Sequence, residues 1–317
     1  MRIVAIGGGT GLSTLLRGLK NFSVDLTAVV TVTDEGGSSG ILREELSVPP
    51  PGDIRNNLVA LASDENILGQ VFNYRFKNGS LNGHTVGNII LAALTKITGS
   101  FTEAIAKVSD ILAVKGRVLP VSNDMGRLVA EFEDGAIVKG ETHIVAYGKE
   151  TGFAIKNVTL ESPLKLNPAV KQAVEEADII VLGPGSLYTS IIANFLVEGL
   201  SQVVAQSSAV KIYISNIMTQ PGETTGYTLR KHIEEVEKFA GCTMDYIIHS
   251  YPPKDDKVLE KYREKGSEPV TIDVFHDRII FGHFSSVVLD EDYRIRHDPL
   301  LTAQAVVNIA LRKVNVK

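Results

Sequence analysis

The stretch RIVAIGGGTGLSTLLRGL at residues 2–19 is the most informative part of this chain. An apolar run at 2–6 predicts a strand, the glycine-rich residues 7–11 predict a turn, and leucines at helical spacing predict a helix after it. A strand that turns through glycines into a helix directs free backbone N–H groups and the positive end of the helix dipole at one point. This arrangement binds phosphate.

A second stretch repeats the pattern at 179–190, where IIVL is followed by GPGSLYTS. Hydroxyl groups in the first helical turn can join the backbone N–H groups around an anion, or can serve only to cap the helix. Two such turns favour a diphosphate ligand such as a nucleotide or a nucleotide-sugar. The residues predicted to surround this ligand are Gly8, Gly9, Thr10 and Gly11 in the first turn and Gly183, Pro184, Gly185, Ser186, Tyr188, Thr189 and Ser190 in the second.

Strands and helices alternate along most of the chain, which predicts one α/β domain over 1–317 with a Rossmann-like, doubly wound and mostly parallel sheet. Between about 117 and 162, apolar and charged residues alternate around an Asp-Gly hairpin signal, so we expect a small antiparallel β insertion there. Residues 143–146 are one of its predicted strands. Further strands are predicted near 269–289, and a last helix at 301–313.

The composition indicates a globular protein, with 317 residues, 44% hydrophobic residues and a mean hydropathy of +0.10. A net charge of −5 argues against a broad nucleic-acid-binding face. The single cysteine, Cys242, argues against a disulfide framework and a cysteine-rich metal site. Because no apolar run approaches the roughly 20 residues of a membrane span and no leader is evident, we expect no membrane span and a cytoplasmic location.

Acidic residues follow the second predicted strand, at Asp34 and Glu35, before a Gly/Ser-rich segment that we expect to be a mobile loop. Together with Asp53 they could hold Mg²⁺ beside a diphosphate. A single acid here could instead bind a ribose hydroxyl, and Asp53 could be only the N-cap of the next helix. Arg55 and Asn56 add a phosphate donor and an amide that can hydrogen-bond a base or a sugar.

Two other polar segments are candidates for the same ligand. His84 and Asn88 lie about one turn apart where an apolar helix begins, so the pair could line the crevice, or His84 could only cap the helix. Asn216, Gln220 and Glu223 follow another predicted strand, and the polar segment they belong to, with the amides of Asn216 and Gln220, suits recognition of a base or a sugar at the carboxyl edge of the sheet. The alternative is an ordinary surface loop.

Three remaining features have less specific interpretations. The first glycine turn fails the G-x-G-x-x-G dinucleotide fingerprint at Leu12, which disfavours an NAD-dependent oxidoreductase. The charged run at 254–265 is typical of a solvated helix. Residues 294–298 could contact a ligand phosphate or a neighbouring subunit, and the sequence leaves both possibilities open. It also leaves open whether the chain forms a homo-oligomer and whether it has a regulatory protein partner.

Taken together, six segments resemble the gluconeogenesis factor (YvcK-like) family, which belongs to the 2-phospho-L-lactate transferase (CofD-like) fold group. These segments are GGGTGLSTLLRGLK at 7–20, TVTDEGGSSGILR at 31–43, PPGDIRNNLVALA at 50–62, GHTVGN at 83–88, LGPGSLYTSII at 182–192 and NIMTQPGET at 216–224. The resemblance implies a cytoplasmic regulatory protein that binds UDP-sugars such as UDP-N-acetylglucosamine or UDP-glucose. It also implies a role in cell shape and cell-wall synthesis during growth on gluconeogenic carbon sources.

The transferase branch of this fold group implies a different function. Its members join a phospholactyl group from a guanylylated donor to a deazaflavin acceptor, with Mg²⁺ held by acidic residues. Carried over to this sequence, those residues fall on Asp34 or Glu35 and on Asp53. Our first hypothesis is therefore a regulatory protein that binds nucleotide-sugars, and our second is a Mg²⁺-dependent 2-phospho-L-lactate transferase.

Overall fold

The structure, a computed structural model, describes residues 1–63, 67–288 and 294–314. Its main sheet has seven strands, and all the pairs between them are parallel. Over the described residues the strands are β1 (Arg2–Gly7), β2 (Asp25–Val30), β3 (Arg117–Pro120), β4 (Leu128–Phe132), β5 (Ile137–Lys139), β6 (Ile155–Leu160), β7 (Ile179–Leu182), β8 (Val210–Ile214), β9 (Tyr246–Ser250), β10 (Ile279–Gly282), β11 (Ser285–Val288) and β12 (Arg294–His297).

The order across the main sheet is β10-β9-β8-β7-β1-β2-β3. Ile6 near the end of β1 pairs with Leu182 at the end of β7. The two glycine turns therefore leave neighbouring strands at the same edge of the sheet. This topology confirms the predicted Rossmann-like α/β fold with a mostly parallel sheet.

Helices cover both faces of this sheet. In chain order they are α1 (Gly9–Leu19), α2 (Gly37–Leu46), α3 (Gly52–Leu61), α4 (Ile67–Asn73), α5 (Val86–Thr98), α6 (Phe101–Ile111), α7 (Glu141–Thr151), α8 (Pro168–Glu175), a π-helical segment (Leu187–Ile192) that continues into α9 (Ala193–Phe195), α10 (Leu200–Gln206), α11 (Leu229–Ala240), α12 (Asp256–Glu264) and α13 (Pro299–Val314). Alternate residues of β1 point into two cores: Ile3 belongs to one cluster and Val4 to the other.

The predicted antiparallel insertion is present, with two differences from the prediction. Its sheet has the order β5-β4-β6 and begins at residue 128, because β3 is the edge strand of the main sheet. The predicted strand at 143–146 is wrong, since these residues lie in α7. Gly140 and Gly152 flank that helix with positive φ angles, a backbone conformation that glycine adopts without strain.

The Gly/Ser-rich segment after Asp34, predicted to be a mobile loop, forms α2 and buries Ser38 and Ser39. The Ser39 hydroxyl accepts a hydrogen bond of 3.0 Å from the backbone N–H of Gly52, which joins α2 to the start of α3. Asp53 is consequently inside the first turn of α3, and the N-cap position belongs to Pro51.

At the carboxyl end of the chain, the strands predicted near 269–289 are the shorter β10 and β11, and position 289 lies outside the described residues. The predicted last helix is α13, which extends over two more residues at its start. Within the described parts of the chain, no helix has the length and apolar character needed to cross a membrane.

The contact between α1 and α13 depends on Gly18, because a Cβ at this position would overlap the backbone carbonyl of Pro299. We expect Gly18→Ala to lower the free energy of unfolding by about 1–3 kcal/mol through overpacking. The matched control is Gly69→Ala in α4, where the nearest atom to a new Cβ is 3.8 Å away. This change should raise stability by about 0.4–1 kcal/mol. Urea unfolding measures both, and equal effects would contradict the packing argument.

Candidate functional site

The two glycine turns meet and line one open cavity of about 630 Å³. They approach so closely that a Cβ at Gly11 would overlap the carbonyl of Pro184. The Asn216 side chain fixes the second turn by donating a hydrogen bond of 2.9 Å to the Gly185 carbonyl. The geometry expected for a shared diphosphate site, two turns at one crevice, is therefore present.

The buried side-chain amide of Asn194 joins the two turns. Asn194 Nδ2 donates to the carbonyls of Gly7 at 3.1 Å and Ser190 at 2.7 Å, so it connects the end of β1 to the π-helical segment. No sequence motif marks Asn194, and it was not predicted. The Asn194 side chain is fully buried, so we assign it to the support of the cavity floor.

The structure brings most of the predicted ligand-binding residues to this cavity. Those that line it are Gly8, Gly9, Thr10, Gly11, Asp34, Asp53, Asn56, Pro184, Gly185, Ser186, Ser190, Asn216 and Gln220. They come from five segments that are far apart in sequence. Their convergence follows from the parallel sheet, whose loops at the carboxyl ends of the strands all open on one edge.

Each glycine turn already holds a carboxylate of the chain itself. The backbone N–H of Gly9 donates to Asp53. Glu223 accepts hydrogen bonds from the backbone N–H groups of Tyr188 at 3.2 Å and Thr189 at 3.4 Å, and from the Thr189 hydroxyl at 3.0 Å. The backbone amides of Tyr188 and Thr189, two of the residues predicted to surround the ligand, are therefore engaged by Glu223. Glu223, predicted to contact the ligand, is buried behind the cavity wall.

Gln220 lies on the cavity wall with its side-chain amide group engaged, because Nε2 donates to Glu223 at 2.9 Å. Asn216 is engaged in the same way by the Gly185 carbonyl. Both residues therefore position the second turn. Each side-chain NH₂ group already donates a hydrogen bond within the protein, so fewer of its hydrogens remain to bind a base or a sugar.

Three acidic residues, Asp34, Asp53 and Glu141, line one end of the cavity. Burial raises the pKa of Asp53 to about 7, and repulsion from Asp34 adds to the effect. Burial also raises the pKa of Asp34 and, well above its ordinary value, that of Glu141. In the described residues, however, no group of three or more His, Cys, Asp or Glu side chains is arranged to hold a metal ion.

Glu35, predicted as a third metal ligand, is not on the cavity wall. Its carboxylate pairs with Arg127 at 2.7 Å and with Arg43 at 3.2 Å. Two guanidinium groups already balance its charge, so Glu35 connects α2 to the antiparallel insertion. The acid at the cavity that the sequence did not reveal is Glu141, which stands in the segment predicted to be β.

Arg55, His84 and Asn88 come together but do not reach the cavity. The Ser38 hydroxyl lies 3.1 Å from His84 Nδ1 and accepts from Asn88 Nδ2 at 3.1 Å, so both side chains contact α2. Arg55 is buried and donates to Asn56 Oδ1 at 2.6 Å, and burial lowers its pKa to about 10. Its charge still acts on Asp34 and Asp53.

The cavity is also lined by Lys149, Lys265 and Arg296, together with Tyr262. Arg296 belongs to the segment that the sequence left open, and the structure places it at the ligand cavity. Lys149 was not predicted, because its helix lies within the segment expected to be a β insertion. Lys265 ends a charged run that is otherwise typical of a solvated helix.

The pH dependence of stability tests the burial of Asp53. Because its pKa is raised to about 7 in the folded chain, the folded state holds the proton more tightly than the unfolded state. Ionisation of Asp53 in the folded chain therefore lowers the free energy of unfolding by up to about 1.4 kcal/mol per pH unit as the pH rises towards 7. Between pH 5 and pH 8, the free energy of unfolding of Asp53→Asn should fall by about 2–3 kcal/mol less than that of the wild type.

The measurement is urea unfolding of the wild type and Asp53→Asn at intervals from pH 5 to pH 8. Asp25→Asn, at the exposed start of β2, is the matched control and should leave the pH profile unchanged. Parallel profiles for the wild type and Asp53→Asn would contradict the burial argument.

Comparisons with known proteins agree with this architecture. The family model described as 2-phospho-L-lactate transferase CofD matches residues 3–282. A "Putative gluconeogenesis factor" from Thermotoga maritima is 52% identical over 316 residues, covering 98% of this chain and 99% of that protein. The "Gluconeogenesis factor" of Bacillus subtilis is 44% identical over 314 residues, covering 97% of this chain and 98% of that protein.

A crystal structure of a UPF0052 family member from Bacillus halodurans superposes with a TM-score of 0.90 at 45% identity, covering 96% of this chain and 99% of that one. The likeness extends over nearly the whole chain in sequence and in structure. The chain therefore belongs to the gluconeogenesis factor family and has a CofD-like domain.

Proposed function

We propose that the chain is a regulatory protein that binds a UDP-sugar in the cavity between the two glycine turns. One observation carries the proposal: the turns after β1 and β7 meet at a cavity that is lined by both acidic and basic residues. A nucleotide-sugar has the matching parts, since its two phosphates are anionic and its base and sugar are neutral and polar.

In this proposal the diphosphate lies between residues 8–11 and 184–186, near the hydroxyl groups of Ser186 and Ser190. Glu223 occupies the amides of 188 and 189, so the second turn contributes its loop and hydroxyl groups. Lys149 and Arg296 supply positive charge at the cavity. The Tyr262 ring offers a surface on which a base or a sugar can stack.

We further propose that Mg²⁺ accompanies the ligand, with Asp34 and Asp53 as its protein ligands. Mg²⁺ usually keeps several waters and is held by one or two carboxylates plus substrate phosphates, so a two-acid site completed by a diphosphate suits it. Burial raises the pKa of both carboxyls. A cation would relieve the repulsion between them.

The regulatory part of the proposal rests on the family. The chain belongs to the gluconeogenesis factor family. We propose for it the cytoplasmic role in cell shape and cell-wall synthesis on gluconeogenic carbon sources that the sequence resemblance implies. We propose that the ligand-loaded chain acts on a protein partner. A change of growth medium would then be sensed as a change in the occupancy of the cavity.

The proposal predicts that UDP-N-acetylglucosamine or UDP-glucose raises the melting temperature. A ligand at 100 times its Kd adds about 2.7 kcal/mol to the free energy of unfolding. Lys149→Gln should raise the Kd about three- to tenfold, because it removes one positive charge from the cavity wall. Lys171→Gln, at an exposed side chain of α8 that does not line the cavity, is the matched control and should leave the Kd unchanged.

Titration calorimetry with and without Mg²⁺ tests the metal in the same experiment. Mg²⁺ should tighten the binding of UDP-glucose to the wild type and have little effect on Asp34→Asn. If both UDP-sugars leave the melting temperature unmoved at saturation, this class of ligand is wrong. Equal Mg²⁺ effects in the wild type and Asp34→Asn would remove the metal from the proposal.

A second candidate function is a Mg²⁺-dependent 2-phospho-L-lactate transferase. The description of the matching family model and the presence of Asp34 and Asp53 on one wall favour it. A shared fold does not by itself transfer a reaction, so the test is chemical. The chain is incubated with a deazaflavin acceptor, the guanylylated phospholactate donor and Mg²⁺, and product is followed by mass spectrometry. No product, with no effect of Mg²⁺ on GDP binding, would exclude this candidate.

A further inference from the structure

Three histidines extend from the cavity into the interior of the protein. His297, at the end of β12, is on the cavity wall and is only 8% exposed. His249 in β9 and His232 in α11 are fully buried. Each imidazole acts electrostatically on the next, His249 on His297 and His232 on His249. None of the functions considered above uses these side chains.

Hydrogen bonds fix where the proton lies in two of the three neutral rings. His232 Nδ1 is 2.9 Å from the carbonyl of Thr228, and His297 hydrogen-bonds the backbone of Ser215. A carbonyl can only accept, so the ring nitrogen that contacts it carries the hydrogen. His249 Nδ1 is 2.8 Å from the Ser215 hydroxyl, and either atom of this pair can donate.

The second nitrogen, Nε2, is buried and without a hydrogen-bond partner in all three rings. In His232 and His297 the hydrogen is on the other nitrogen, so Nε2 carries a lone pair and is able to accept a proton. These rings are not a metal site, because no group of three such side chains in the described ranges is placed to hold an ion. A row of three buried imidazoles, each with an unpartnered Nε2, therefore begins with His297 at the wall of the cavity.

The surroundings keep these rings neutral while the cavity is empty. Among the described residues, the titratable groups that act on His297 are His249 and Arg296, and the one that acts on His249 is His232. None of these is a carboxylate. Burial is the main reason that the pKa values of His297 and His249 are both lowered to about 4.

We infer that His297, with His249 behind it, takes up a proton when an anionic ligand fills the cavity. The inference rests on the proposed function, since it needs an anion bound beside Arg296 and His297. An opposite charge within about 4–6 Å favours the charged form of a titrating group and moves its pKa by about 1–3. A phosphate paired with Arg296 also cancels the repulsion that Arg296 exerts on a protonated His297.

The sign of the pH effect follows directly. Because the bound state would hold a proton that the free state lacks, ligand affinity must rise as the pH falls. For a His297 pKa that rises from about 4 to about 6–6.5, binding is about three- to tenfold tighter at pH 5.5 than at pH 7.5. A pyrophosphate esterified at both ends has no group that titrates near neutrality, so the proton resides on the protein.

Two measurements test the inference, with UDP-glucose as the probe. Long-range ¹H–¹⁵N NMR of the imidazoles distinguishes a neutral ring from an imidazolium, and His297→Gln assigns the resonance. Adding the probe at pH 6 should convert the His297 signal towards imidazolium. Calorimetry of the wild type and His297→Gln from pH 5.5 to pH 7.5 then gives the part of the pH dependence of the Kd that is due to His297. The comparison is needed because Asp53 titrates in the same pH range.

The control is His283→Gln, an exposed histidine that does not line the cavity, and it should keep the wild-type pH dependence. If UDP-glucose binds but the His297 signal stays neutral, or His297→Gln keeps the full pH dependence, the inference is overturned and the proposed function stands. If neither UDP-glucose nor inorganic pyrophosphate binds at any pH, the proposed function fails, and the inference with it. Thermal melts establish that the variants fold.

Discussion

The close approach of two backbone turns at the ends of neighbouring parallel strands is the constraint on which the rest of this structure depends. The pairing of β1 with β7 places both turns at one edge of the sheet. Glycine at position 11 lets the Pro184 carbonyl come into contact, and a side chain there would separate the turns. Asn194 and Asn216 stabilise this arrangement by donating side-chain hydrogen bonds to the carbonyls of Gly7 and Gly185. The position of the cavity is therefore set by contacts of the backbone.

The electrostatics of the cavity oppose stability and favour a ligand. Asp34, Asp53 and Glu141 are half-buried at the cavity, where loss of solvent raises their pKa values. Glu35, by contrast, is paired with two arginines and is not on the cavity wall. The acid that connects the elements of the chain is therefore neutralised by direct ion pairs, whereas the acids at the cavity have perturbed pKa values. Such clusters of perturbed groups in a concave site are typical of functional sites.

The sequence predicted those parts of the fold that depend on local patterns. The glycine turns, the parallel sheet and the clustering of their loops follow from the periodicity of single segments. The parts it missed depend on tertiary contacts. Residues 143–146 have a strand-like composition, but Gly140 and Gly152 bound a helix that brings Glu141 and Lys149 to the cavity. Glu223 occupies the amides of the second turn through a contact between residues 35 positions apart in the sequence. No local pattern could indicate such a contact.

The most direct measurement of the central claim is a crystal structure of the chain soaked with UDP-N-acetylglucosamine and Mg²⁺. We expect the diphosphate to lie between residues 8–11 and 184–186, with Mg²⁺ beside it held by Asp34 and Asp53. A nucleotide bound elsewhere on the molecule, with this cavity empty at saturating ligand, would contradict it.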